Sequence, residues 1–173
     1  AEGHARTSSA EPSQPELVFV KSEFFREPLP PEAIAALVDA FGRGQASGQT
    51  RELDFTPWGG AYNRTPPEAT AFVHRSERFL LKHAVALGRD ASRRERDAGR
   101  DWLARSWAIV HPRGSGGVFP NFPDPDLGDW ERAYHGINYE HLTRVKASYD
   151  PEHVFRFHQS LPPAGELLLS PRS

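Results

Sequence analysis

FLLKHAVAL, residues 79–87, alternates in a way that decides how the chain folds. Phe79, Leu81, His83, Val85 and Leu87 fall on one side of an extended chain, the period of two that marks a strand with a buried face. A strand needs partners, and the flanking sequence offers three. ATAFVHR, 69–75, has the aromatic and β-branched content of a strand, and Ser76 and Glu77 leave room for only a tight link or bulge. Arg51, Leu53 and Phe55 alternate with Glu52, Asp54 and Thr56 and stop at Pro57, as a strand near a sheet edge does, before a Trp58-Gly59-Gly60 turn. LVFVKSEFF, starting at Leu17, is rich in β-branched and aromatic residues and reads as a further strand, its nearly continuous apolar positions leaving its facing open.

Helices fall between and after these strands. Pro30 and Pro31 start one whose Ile34, Leu37, Val38 and Phe41 repeat at three and four, with Gly42 as a left-handed C-terminal cap. ASRRERDAGRDWLARSWAIV, 91–110, is a long amphipathic helix with Trp102, Leu103, Ser106, Ile109 and Val110 as its buried stripe and arginines on its solvated face. A last helix runs from Asn138, a predicted N-cap, through Tyr139, Leu142, Val145 and Lys146 to the Asp150-Pro151 stop. With no regular βαβ repeat and no internal duplication, the class is α+β: an antiparallel sheet with helices on one face.

A chain of 173 residues can bury a genuine core, and its 16 prolines predict many turns and edges. With 21 basic against 23 acidic residues the net charge is −2, so nothing draws the chain to nucleic acid or to an anionic membrane surface. No apolar run approaches the roughly 20 residues of a membrane span, and the start lacks the regions of a signal peptide. The chain reads as soluble, with the cytoplasm the favoured compartment. Absence of cysteine excludes disulfides, thiolate nucleophiles and cysteine-ligated zinc. Absence of methionine is what a processed, trimmed or partial product would show.

VFPNFPDPDLGDW, 118–130, is the most unusual segment. Pro120, Pro123 and Pro125 exclude a helix or an interior strand, so it is an ordered loop, of the kind that presents aromatic and amide side chains to a ligand. Other chemistries fail on spacing. None of the eight histidines pairs at i, i+4 as a helical zinc site requires. DPDLGD lacks the sixth-position glycine and terminal glutamate of a calcium loop, and GSGG at 114–117 lacks the Lys-Ser or Lys-Thr of a P-loop.

Taken in order, PWGGAYNR (57–64), ATAFVHR (69–75), GGVFPNFPDPDLG (116–128) and YHGINYEHLTRVKASYDPEHVFRFHQS (134–160) resemble the C-terminal part of the berberine-bridge-enzyme-like FAD-linked oxidases, from about Leu17 to Leu161. The resemblance implies a two-domain flavoprotein fold. A flavin-binding domain precedes a substrate domain whose antiparallel sheet roofs the isoalloxazine ring, and a C-terminal segment returns to the flavin domain. In that frame residues 1–15 are a disordered tail, 16–112 the latter part of the substrate domain, 113–162 the C-terminal segment and 163–173 a tail. The implied reaction passes hydride from a CH–OH or CH–N carbon of a small molecule to flavin and then to oxygen. FAD would be held mostly by the missing N-terminal domain, since nothing in residues 1–50 resembles its phosphate loops, and this chain alone would be inactive. A non-catalytic binding module lacking the flavin domain is the alternative.

The same resemblance nominates residues. Asn121, Phe122, Asn138 and Tyr139 are cofactor-binding candidates, and Phe119 and Phe122 are walls of the substrate cavity. For Asn121 the competing role is a turn cap. Many relatives carry tyrosine in this segment, and phenylalanine cannot exchange a proton. His83, in the strand where some relatives carry Glu or Gln near the flavin, is therefore the candidate base, with an ordinary pKa of about 6.5 suited to that work. Its competing role is a satisfied histidine on an apolar strand face.

Overall fold

A computed structural model describes residues 16–46 and 48–165. Strands β1 (Glu16–Phe25), β2 (Gln49–Pro57) and β3 (Phe79–Gly88) form an antiparallel sheet in the order β1-β3-β2. β3 is central: His83 lies opposite Lys21 on one side and Leu53 on the other, and Lys82 opposite Ser22 and Asp54.

Helices α1 (Pro31–Gly42) and α2 (Arg93–Val110) cover one face of this sheet. Leu81, Phe25, Leu37 and Val110 form one core cluster beneath them, and Val85, Trp102 and Leu103 a second. α2 starts at a capping box in which Ser92 N–H donates to Glu95 Oε2 at 2.7 Å and Glu95 N–H donates to Ser92 Oγ at 3.3 Å, an arrangement that contributes about 1 kcal/mol. It ends where Pro112, without an N–H, cannot extend the ladder. Trp102 Nε1 donates to the Ala40 carbonyl at 3.0 Å and fastens α2 to α1.

The α+β class, the three strands β1, β2 and β3 and the buried stripe of α2 agree with the sequence reading, and four details differ. Residues 69–75 form no strand. Both sides of β3 are already occupied, so this segment crosses the open face, where Phe72 and His74 pack on Phe24 with ring centroids 6.2 and 4.8 Å away. On α1, Leu37 and Ala33 are buried whereas Ile34 and Val38 are 46% and 64% exposed. The helix is seated by its Leu37 and Phe41 side, toward β3 and Trp102.

Nor is Gly42 a left-handed cap: the chain leaves α1 through Arg43 at φ −82°, ψ 136°. Arg51 explains this, because its guanidinium donates to the carbonyls of Phe41, Arg43 and Gly44 at 2.9, 2.7 and 2.9 Å and satisfies the helix end from outside. Asn138, finally, makes no side-chain cap to α3 (Tyr139–Tyr149). It is buried within a tight turn, and its Nδ2 donates instead to the carbonyls of Pro67 and Thr70 at 2.8 and 3.0 Å. The predicted tail at 1–15, and 166–173 of the tail at 163–173, lie outside the described residues. Among the described residues no helix is long and apolar enough to cross a membrane.

Candidate functional site: an open sheet face and its proline-rich wall

Opposite the helices, the second face of the sheet carries Val18, Val20, Ser22 and Phe24 from β1, Leu80, Lys82, Ala84 and Ala86 from β3, and Thr50, Glu52, Asp54 and Thr56 from β2. At one end an aromatic cluster covers it. Trp58 and Phe119 sit 5.2 and 6.1 Å from Phe24, and 5.4 Å from each other. At the other end Val18 is half exposed and Val20 and Ala86 are partly so. Of the two alanines of β3 on this face, Ala86 is partly exposed and Ala84 is buried.

The wall is built by the chain that follows α2. Ser115 N–H donates to the Phe24 carbonyl at 2.8 Å and Phe24 N–H donates to that of Gly117 at 2.9 Å, which sews this turn to the outer edge of β1. The buried Glu23 carboxylate anchors it, accepting from Gly116 N–H at 3.0 Å and lying 2.7 Å from His111 Nδ1. Burial pushes the Glu23 carboxyl up, against the opposing pull of His111. Two glycines are required by this close approach: a Cβ on Gly114 would lie 2.2 Å from the Glu23 carboxylate, and one on Gly117 would lie 2.6 Å from His74.

Beyond it, Phe119 N–H donates to Ser22 Oγ at 3.1 Å, and Phe122 N–H closes a turn onto the Phe119 carbonyl at 2.9 Å. Asp124 pins the far end. Its carboxylate accepts from Lys21 at 2.5 Å, its N–H donates to the Tyr134 hydroxyl at 2.8 Å and its carbonyl accepts from Gln159 at 2.7 Å. The loop is thereby held at both feet, and a cleft of about 370 Å³ opens between it, Val18–Lys21 and the Arg100–Ala104 stretch of α2.

Phe119 and Phe122 come together in this wall, with ring centroids 5.3 Å apart. Asn121 lies between them in sequence, exposed, on the border of the cleft. Its side-chain amide has no hydrogen-bond partner among the described residues, so the turn is closed by backbone alone.

His83 is elsewhere. It is fully buried on the helix face, with Nδ1 2.9 Å from Ser106 Oγ and Nε2 without a hydrogen-bond partner among the described residues. Burial, and secondarily the Lys21 charge, depress its pKa to about 4. His74 is depressed to about 4 as well, chiefly by burial, although its Nε2 lies 3.2 Å from the Tyr134 carbonyl. Tyr139 is half-buried, edge-on to Trp130 at 6.1 Å and 6.3 Å from His135, and Asn138 is committed to the Pro67–Ala69 turn. Neither lines the cleft.

Sequence reasoning missed Lys82. It stands at the centre of the open face, its ammonium 2.7 Å from Glu52, 3.5 Å from Asp54 and 5.5 Å from the Phe122 ring centroid. The hydrogen bond to Glu52 raises its pKa, so it stays protonated. A lysine out of phase with the Phe79–Leu87 set was the available signal. Among the described residues no group of His, Asp and Glu is placed to hold a metal ion.

Fold and loop together correspond to a known class. Residues 118–162 match the family model described as berberine and berberine like. An uncharacterized FAD-linked oxidoreductase, YgaK of Bacillus subtilis, is 31% identical over 151 residues, covering 87% of this chain and 32% of the relative. Reticuline oxidase of Eschscholzia californica is 26% identical over 83% of this chain and 30% of its own length. Its solved relatives superpose: berberine bridge enzyme from Eschscholzia californica gives a TM-score of 0.75 at 26% identity over 88% of this chain and 34% of that one. BBE-like 28 from Arabidopsis thaliana gives 0.77 at 26% identity over 86% and 34%. The chain belongs to the berberine-bridge-enzyme-like FAD-linked oxidoreductases. It corresponds to a C-terminal stretch of them, and spans about a third of the length of these curated relatives.

Proposed function

We propose that the open sheet face and the loop 118–127 form the reactant-facing wall of an FAD-linked oxidase, whose flavin is held mainly by a region that this chain does not span. One observation carries this reading. The partly exposed Val20 lines the same cleft as the aromatic wall at Phe122, with Ala86 partly exposed on the neighbouring strand, beside an exposed amide at Asn121 that no described protein group uses.

These features suit the face and polar edge of a flat heteroaromatic ring, because small side chains allow close stacking and an amide matches a mixed donor and acceptor edge. They do not suit a pyrophosphate. The glycine-rich 114–117 turn follows the C-terminal end of α2, where carbonyls rather than N–H groups point outward. When bound, FAD supplies the acceptor for a hydride from a CH–OH or CH–N carbon of a small molecule, and oxygen takes the electrons in turn. Phe122 shields the reacting side from water, and Asn121 orients a ring edge. His83 serves the core in this reading, sealed beneath α2, and the C-terminal segment is supported by Asn138 and Tyr139 rather than presented through them.

The strap after α3 supplies the docking side. Asp150 accepts from the N–H groups of Val154 and Phe155 at 2.7 and 3.0 Å, which leaves Val154, Phe155 and Phe157 71%, 77% and 71% exposed. Three large apolar side chains held outward fit a partner surface, here the flavin domain.

The test is a titration of the ¹⁵N-labelled chain with lumiflavin, a flavin ring without phosphate, followed by amide shifts. Ala84, Ala86, Asn121 and Phe122 should move, and FAD should bind no tighter than lumiflavin. A chain that purifies yellow with tightly held FAD, or a titration that leaves these four amides unmoved, overturns the reading. An upstream reading frame without a flavin domain would favour the binding-module alternative.

A further inference from the structure

We infer that Lys82 is the specificity-determining polar residue of the open face: it donates a hydrogen bond to an oxygen of a neutral, ring-bearing ligand, while Glu52 and Asp54 turn anionic ligands away. The inference rests on the reading of that face given above. Lys82 lies in the central strand, one residue pair from Val20 and Ala84, of which Val20 is partly exposed and Ala84 buried, and its ammonium stands 5.5 Å from the centroid of the Phe122 ring. A ring stacked on the floor against Phe122 would meet this ammonium before any other charged group described on the face.

An ammonium has three N–H donors. One points to Glu52 at 2.7 Å, and Asp54 at 3.5 Å takes a second only weakly. At least one donor is left for a ligand. The lysine side chain is 18% exposed, so it is held close to the sheet and cannot swing away as a surface lysine would. Charge then sets the selectivity. Among the described side chains of this face Lys82 is the one cation, against the carboxylates of Glu52 and Asp54, which are 53% and 44% exposed. A carboxylate ligand gains one attraction and meets two repulsions, whereas a hydroxyl or carbonyl oxygen takes the spare donor without that conflict.

The experiment uses the 173-residue chain with benzyl alcohol, benzoate and lumiflavin as probes, read by amide shifts of Ala84, Ala86 and Phe122. Benzyl alcohol should bind and benzoate should bind at least tenfold more weakly. Lys82→Met should weaken benzyl alcohol about five- to tenfold, the scale of one lost hydrogen bond, and Lys82→Arg should restore most of it. The double variant Glu52→Gln/Asp54→Asn should admit benzoate, an arm that needs no change at Lys82. If Lys82→Met binds benzyl alcohol as the wild type does, or if benzoate binds the wild type as tightly as the alcohol, the inference is wrong. Lumiflavin shifts that persist in those cases leave the reading of the face standing. If no probe moves the face, both fall.

Discussion

Lys82 and His83 are neighbours in sequence and point to opposite sides of β3: Lys82 meets Glu52 at 2.7 Å on the open face, and His83 meets Ser106 at 2.9 Å beneath α2. One residue of register therefore separates a side chain that can meet a ligand from one that cannot. The pairing of β3 with both β1 and β2 holds that register along its length.

His83→Ala should behave as a core mutation. Loss of the imidazole leaves a void under α2 and an unpaired Ser106 hydroxyl, at a cost of about 2–4 kcal/mol in denaturant unfolding. Lumiflavin shifts at Ala84 and Phe122 should stay at wild-type values. Lost ring binding with unchanged stability would return His83 to the site.

Stability should depend on the two buried histidines. His74 and His83 both have folded-state values near 4, below the ordinary 6.5, so between these limits the unfolded chain binds more protons than the folded one. Their contribution is complete above pH 6.5 and is lost as the pH falls through about 4, by at most about 3 kcal/mol for each. Thermal melts from pH 7.5 to 4 should show a falling midpoint, and His83→Gln should flatten that fall. An unchanged slope in the variant would show that other groups cause it.

Asn121→Leu separates a ligand contact from a turn cap. Because the amide bonds to no described residue, the substitution should leave the melting temperature within the range of a neutral surface change, about ±0.5 kcal/mol in stability. Lumiflavin affinity should drop about fivefold or more. A destabilised chain that binds the ring normally would make Asn121 structural.

Asp150 should control the strap. Its carboxyl is held below the usual carboxylate range, first by the hydrogen bond from Lys146, and it also accepts two backbone N–H groups. Asp150→Ala should accelerate hydrogen exchange at Val154 and Phe155 while β3 stays protected. Uniform acceleration throughout the chain would instead mean global destabilisation.

Phe155→Ser/Phe157→Ser should leave stability nearly unchanged, since both side chains are more than two-thirds exposed. The wild-type chain should purify colourless and self-associate through its open sheet face and this strap. The double variant should shift sedimentation toward the monomer. Equal self-association in both forms would place the contact on the sheet face alone.

Local chemistry settled much of this in one dimension. The alternation of Phe79 to Leu87, the stripe of α2, the proline-rich wall and the helix start at Pro31 depend on period, rotamer and backbone restriction, which neighbouring residues carry with them. The family resemblance likewise rests on contiguous motifs. What lay beyond reach was decided by partners far away in sequence. Residues 69–75 have strand-like composition and become a cross-connection because β1 and β2 flank β3 on both sides. Gly42 stays helical because Arg51 reaches back to the helix end, and Asn138 forgoes its cap because Pro67 and Thr70 need a donor. Which face of β3 stays open was also a tertiary matter. Period two sorts Lys82 from His83, but only the docking of α1 and α2 buries the His83 side and leaves the Lys82 side without a helix over it.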